Sequence, residues 1–291
     1  MSLSRYIQSP ELLRNLSGRD PEDLKKEVLD RGNRWYSENP GEVELIMENL
    51  RKLGIPFTEE LIEKIKTNVI LHYYEKLLPL CGGAEFYHSF LKKHVDCTDA
   101  AEFLRQSIES GNGILLTVAH FGAVEFLVPS LSTFKIPINT ALRFTTEQFS
   151  RMAAQQSKIM EESGLFGPIK FIEIGKPGTA AALEMAAALR RKEVLVSVFD
   201  EKTPYSKPVF LFGRKVYGGS GLDKLLALTN APVDLFTAFM IRGSNSCYKL
   251  ELFKLSPDRD RMLDMMYHHL ENMVRLACEQ WYFLHEEIPF V

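Results

Sequence analysis

The stretch best equipped for chemistry is Gly113-Ile-Leu-Leu-Thr-Val-Ala-His120-Phe121-Gly122-Ala123-Val124-Glu125. A short apolar run ends just before His120, Gly122 permits a tight turn, and Glu125 falls in the first turn of the helix expected next. Active sites in α/β sheets gather beyond the carboxyl ends of strands. A histidine there can be a base if a carboxylate holds one ring nitrogen as a donor and leaves the other free to take a proton. The same spacing also suits a loop histidine beside a glutamate that favours a helix start through the macrodipole. Other candidates are weaker. Ser220, in Gly218-Gly219-Ser220-Gly221, lacks the G-x-S-x-G arrangement of a nucleophile elbow because Leu222 takes the last position. His268 and His269 are adjacent on a helical pattern and point to different faces, which disfavours a metal pair. His72, His88 and His94 suit structural or surface positions. No G-x-G-x-x-G follows a strand pattern and no Walker-type loop is present.

The surrounding patterns describe what must position these groups. Up to about residue 110 the texture is helical. Val43, Ile46, Met47, Leu50 and Leu53 form one apolar stripe that stops at Gly54 and Pro56. A second helix starts at Thr58 and runs toward Leu80, and a third includes Ala100 to Ile108. Beyond the Gly111-Asn112-Gly113 turn, short apolar runs at Ile114–Ala119, Ile138–Phe144, Ile169–Ile174, Val194–Phe199, Pro232–Met240 and Cys247–Phe253 read as strands. Helical patterns lie between them at Glu147–Glu162, Thr179–Arg191 and Leu222–Thr229, and Asp258–His285 reads as one long C-terminal helix. The predicted class is α/β, a mixed, largely parallel sheet flanked by helices. Residues 1–110 form a helical N-terminal layer on an α/β core of residues 111–291, as one folding unit.

Composition narrows the partners. Against 35 Lys and Arg stand 38 Asp and Glu, a formal charge of -3, so no global basic field holds nucleic acid or an anionic membrane. The 4 cysteines, Cys81, Cys97, Cys247 and Cys278, form no C-x-x-C pair. With no signal-type segment and no apolar run near the roughly 20 residues of a membrane span, they read as reduced, mostly buried thiols. The expected location is the cytoplasm, with at most peripheral contact at the inner membrane.

Four motifs in order resemble the late acyltransferases of lipid A biosynthesis, of the lauroyl/myristoyl type. His120-Phe121-Gly122-Ala123-Val124-Glu125 resembles that family's H-x4-D/E motif, and Val198-Phe199-Asp200-Glu201 its "D-Q" strand end. Phe210-Leu211-Phe212-Gly213-Arg214 resembles its F-F-G-R turn, and Glu279-Gln280-Trp281-Tyr282-Phe283-Leu284-His285 its closing E-Q-W-x-W-x-H. The resemblance covers roughly residues 40 to 285. It implies a glycerolipid-acyltransferase-like fold and transfer of an acyl group from a carrier-protein or coenzyme A thioester to a hydroxyl or amine. The thioester is a co-substrate and no other cofactor is implied. His120 becomes the general base and Glu125 its orienting carboxylate. Phe121, Gly122, Arg143, Asp200, Gly213 and Arg214 become substrate-binding or supporting residues, with Arg143 at the end of the second core strand and Arg214 facing a donor phosphate. Trp281, Tyr282 and Phe283 suit the core better than a ligand cage, and packing explains His285 as well as catalysis does.

The departures have a common theme. HFGNWE of the family is here HFGAVE, an arginine before Gly164 is missing, with Lys158 the nearest cation, and W-x-H-R-R ends instead as Leu284-His285-Glu286-Glu287. The family's usual membrane anchor is not expected here either. Losing cations and gaining carboxylates weakens binding to an anionic glycolipid, while His120 and Glu125 stay. The chemistry is therefore expected to be kept and the acceptor, a lipid or small molecule, to have changed. Two alternatives stand beside this: an aminoacyl-tRNA-dependent transferase on the same fold, which the acidic total disfavours, and an inactive homologue that only holds a lipid or partner.

Overall fold

The computed structural model describes residues 1–143, 147–174, 180–203, 206–219, 221–244, 246–256 and 261–291. The expected element ends at Phe144, Thr179 and Asp258, and Ser220, lie outside them.

The N-terminal layer comprises α1 (Leu3–Ile7), α2 (Pro10–Arg14), α3 (Pro21–Glu38), α4 (Pro40–Leu53), α5 (Glu59–Leu77) and α6 (Gly83–His94). Their ends carry the expected chemistry. Asp20 accepts from the backbone N–H groups of Glu22 and Asp23 with Pro21 in the first turn of α3, and Thr58 accepts from Leu61 N–H. Gly54, at φ 68°, closes α4 in the left-handed region. After β1 (Val95–Asp96) and α7 (Thr98–Glu109) come β2 (Gly113–Gly122), α8 (Leu127–Ser132), β3 (Ile138–Leu142), α9 (Glu147–Ser163) and β4 (Ile169–Glu173). The chain continues through α10 (Ala180–Arg190), β5 (Val194–Val198), β6 (Lys207–Leu211), β7 (Arg214–Gly218), α11 (Leu222–Thr229), β8 (Val233–Arg242), β9 (Tyr248–Lys254) and α12 (Met262–Ala277).

Seven strands form one sheet in the order β1-β9-β8-β2-β5-β3-β4. The run β8-β2-β5-β3-β4 is parallel, β9 pairs antiparallel to β8, and β1 lies parallel to β9. The β6–β7 hairpin stands apart as a second, two-stranded sheet. This is the mixed, largely parallel α/β arrangement that alternating strand and helix patterns predict. Its parallel strands are buried on both faces, as their continuous apolar runs require; every residue from Gly113 to Ala119 is buried. One cluster of buried apolar side chains runs from Leu3 and Trp35 through Ile114 to Leu270 and Trp281.

Two expectations need correction. First, β2 does not end before His120. It continues to Gly122 through an irregularity in its pairing with β8 between Val118 and Gly122, so His120 sits within the strand's distorted last turn of pleat. Second, the C-terminal segment is not one helix. The helix stops at Ala277, whose backbone (φ -152°, ψ 64°) leaves the helical region, and two 3₁₀ turns follow at Cys278–Gln280 and Tyr282–His285. Between them Trp281 is extended and bridges Phe121 at the end of β2. Gln280 fixes the break by accepting from Arg242 N–H and donating to Arg242 C=O, at 2.8 and 2.9 Å. Tertiary hydrogen bonds to β8 override the helical periodicity.

Cys81 and Cys97 are buried, Cys278 half-buried and Cys247 exposed, and none of the four forms a disulfide. Among the described residues, no helix is long and apolar enough to cross a membrane.

Candidate active site

Parallel pairing of β2 with β5 brings two strand ends together. Phe199 N–H donates to Val118 C=O and extends that pairing, so Asp200 arrives beside His120. Its side chain has no solvent exposure and accepts three hydrogen bonds: from His120 N–H (2.9 Å), from the His120 ring at Nδ1 (2.9 Å) and from the Trp281 indole (3.2 Å). Because a carboxylate only accepts, Nδ1 carries the proton, and Nε2 is the atom turned outward. Glu201 Oε1 lies 3.4 Å from Nε2. Tyr282 and Phe283 flank the ring, with centroids at 6.3 and 5.2 Å.

Burial disfavours a charged His120 ring, but the Asp200 carboxylate bonded to it, helped by Glu201 and Glu125, outweighs that and raises its pKa to about 8. The positive charge produced by accepting a proton is thus stabilised where it forms.

The expected His120–Glu125 pair is replaced by His120–Asp200. Glu125 sits in a 3₁₀ turn, Val124–Phe126, rather than in a helix, and this turn directs it toward α5. There its Oε1 is 3.5 Å from His72 Nε2 and 3.4 Å from Lys76 Nζ. His72 is buried, and burial together with the Lys76, His120 and Arg242 charges holds it well below the ordinary histidine range. His72 also stacks obliquely on Tyr282, whose hydroxyl shares a 2.6 Å hydrogen bond with Tyr73. His120 and Glu125 therefore belong to one site through α5 and the C-terminal turn, not by direct contact.

That site is the head of a cavity of about 880 Å³. Strands β2, β5, β3 and β4 supply its floor, including Val118, Val196, Val198 and Phe171, while Leu127, Val128 and Met160 close it from above. Arg143 is exposed on its wall, as are the carboxylates Glu286 and Glu287 on its C-terminal side. Residues of α1, Ser4 and Arg5 among them, complete the mouth. His285 also reaches the cavity but is buried. Its Nδ1 meets Tyr36 Oη at 2.9 Å, and burial pushes its pKa down to about 4.

Four other sequence-derived candidates fall elsewhere. Phe121 is fully buried on the opposite side of the strand from His120, edge-on to Phe239, and cannot meet a ligand. Gly122 is a backbone device: at φ 60°, a Cβ would stand 1.9 Å from Met240 C=O. Gly213 and Arg214 occupy the β6–β7 turn, outside the cavity lining, where Arg214 Nε donates to Lys52 C=O at 3.1 Å. The turn's left-handed residues Phe212 and Gly213 explain the motif without a ligand. Conversely, His72, Lys76, Tyr73 and the indole of Trp281 escape a linear reading. The one available signal is the i,i+4 spacing of His72 and Lys76 on a helix, which is too common to single them out.

No protein-family model matches this chain, and a comparison with curated proteins gives no match.

Proposed function

We propose that this chain is an acyltransferase that moves an acyl group from a carrier-protein or coenzyme A thioester to the hydroxyl or amine of a small-molecule or lipid acceptor. The observation that carries this reading is a histidine locked by a buried aspartate in the wall of a large cavity, about 880 Å³, whose strand floor is apolar. A pocket of this size suits a ligand with a substantial apolar part. The order of the four motifs supports the same reaction class.

In this mechanism His120 Nε2 takes the proton from the acceptor, and the freed lone pair attacks the thioester carbonyl. Asp200 keeps Nδ1 protonated and stabilises the imidazolium. The tetrahedral intermediate collapses by breaking its carbon–sulfur bond, and the thiolate takes back the proton from Nε2. Arg143 supplies positive charge for the donor at the cavity wall. Glu125, with His72 and Lys76, presents a hydrogen-bonding patch across from His120 for the acceptor. The reaction belongs in the cytoplasm or at a membrane surface, where both donors occur.

Purified protein incubated with long-chain acyl carrier-protein and coenzyme A thioesters is expected to release thiol only when an acceptor panel is added. Unchanged release from His120→Ala would overturn the assignment.

A further inference from the structure

The strand floor of the cavity carries a buried polar side chain with no hydrogen-bond partner among the described residues. Thr140 lies in the middle of β3, in register with Phe171 of β4 on one side and Val196 of β5 on the other. All three line the cavity. Because alternate residues of a strand share a face, Thr140 stands on the same floor as these neighbours. Thr140 is 7% exposed, and its hydroxyl has no hydrogen-bond partner among the described residues. An unpaired buried hydroxyl is costly, and valine would fill the same shape without that cost. The oxygen itself is covered, but a turn of about 120° about χ1, to the next staggered rotamer, carries it into the methyl's position while the methyl takes that of the Cβ hydrogen, and so brings the hydroxyl to a ligand atom.

We propose that Thr140 makes this site selective for acyl chains that carry a hydroxyl or keto group part way along the chain. The inference rests on the acyl-transfer reading above and adds the class of donor. The threonine hydroxyl donates to a keto oxygen and both donates to and accepts from a hydroxyl. It is a specificity residue and takes no part in the proton transfers at His120. Its place also indicates where the substituent lies. Through Val196, Thr140 is level with Leu116, four residues before His120 and two strands away. At ordinary sheet spacings that is about 16 Å between Cα atoms. The matching group therefore sits well out along the chain, not on the carbons beside the thioester.

Equilibrium binding tests this without requiring turnover. Dodecanoate and a series of monohydroxydodecanoates, with the hydroxyl moved along the chain, are titrated calorimetrically into the wild-type protein, Thr140→Val and Thr140→Ser. Wild type is expected to bind one isomer, or two adjacent ones, about tenfold more tightly than dodecanoate, a usual worth for a buried hydrogen bond. Thr140→Ser keeps that preference. Thr140→Val loses it and binds dodecanoate at least as well, with a thermal midpoint no lower than that of wild type showing that it is folded. A flat series in wild type, or a preference surviving in Thr140→Val, overturns the proposal. If acceptor-dependent thiol release persists beside a flat series, only the selectivity fails. If no chain binds and no thiol is released, the acyl-transfer reading fails with it.

Discussion

In the proposed mechanism His120 can act as a base only when its ring is neutral and held in one tautomer, and both conditions depend on Asp200. Its pKa, raised to about 8 by the Asp200 carboxylate against the effect of burial, leaves the ring mostly protonated at neutral pH. Because the base form is the deprotonated one, kcat/KM for transfer is expected to rise with pH and level off above about 8. Asp200→Asn keeps the shape but removes the charge that opposes burial. The rise should move to lower pH, and activity should fall about 10²- to 10⁴-fold as the tautomer is lost. Glu125→Gln should cost less, since Glu125 bonds to the α5 groups His72 and Lys76 instead of the ring. A pH–rate series on the three proteins decides this, and an Asp200→Asn profile matching wild type would contradict it. The residue-level reading from sequence was half legible. His120 and Glu125 are neighbours in the chain and were visible together, whereas Asp200 is brought to His120 only by the adjacency of β2 and β5, which no local pattern encodes.

At the scale of elements, the distorted end of β2 aims the histidine. Gly122, with φ 60° and Met240 C=O where a Cβ would stand, lets β2 and β8 close at this point. Gly122→Ala must therefore push the strands apart or shift the turn carrying His120. We expect a loss of about 2–4 kcal/mol in a denaturant titration, from backbone strain plus overpacking, together with weakened transfer. A variant as stable and active as wild type would show that the turn can relax freely. Regular elements were the most legible. The helix Leu222–Thr229 and strands Ile169–Glu173 and Val194–Val198 fall within a residue or so of their sequence patterns, because apolar runs between turn residues report burial directly. The C-terminal break at Ala277 was not legible, since its cause is the Gln280 side chain gripping Arg242, two distant residues. Likewise, the F-G-R motif lies in the β6–β7 turn, outside the cavity lining, where Phe212 N–H donates to Glu271 and Arg214 to Lys52 C=O.

Across the whole molecule, the helical layer forms part of the site. Helix α5 brings His72, Tyr73 and Lys76 to the cavity, and it is tied to the sheet by Glu75, fully buried, paired through both oxygens to Arg242 of β8 at 2.6 and 2.8 Å. Arg242 also donates to Asn68, about two helical turns before Glu75, at 2.9 Å. Removing one partner strands the other charge, so Arg242→Met should destabilise by about 3–5 kcal/mol, and adding Glu75→Gln should recover part of that loss. Because the pair joins residues of the two predicted regions, 1–110 and 111–291, both should unfold in one cooperative transition seen equally by fluorescence and circular dichroism. Two separated transitions would contradict a single folding unit. Charge is also a property of this scale: if the acyl-transfer reading holds, a formal charge of -3 and the carboxylates Glu286 and Glu287 by the cavity oppose binding of an anionic acceptor.

The most direct measurement is acceptor-dependent thiol release from a long-chain acyl thioester by wild type and His120→Ala, with thioester binding measured on both. Release by wild type that falls at least about 100-fold in His120→Ala, with thioester binding retained, is the predicted result. Equal release from the two proteins, or tight thioester binding by wild type with no transfer to any acceptor, would contradict it.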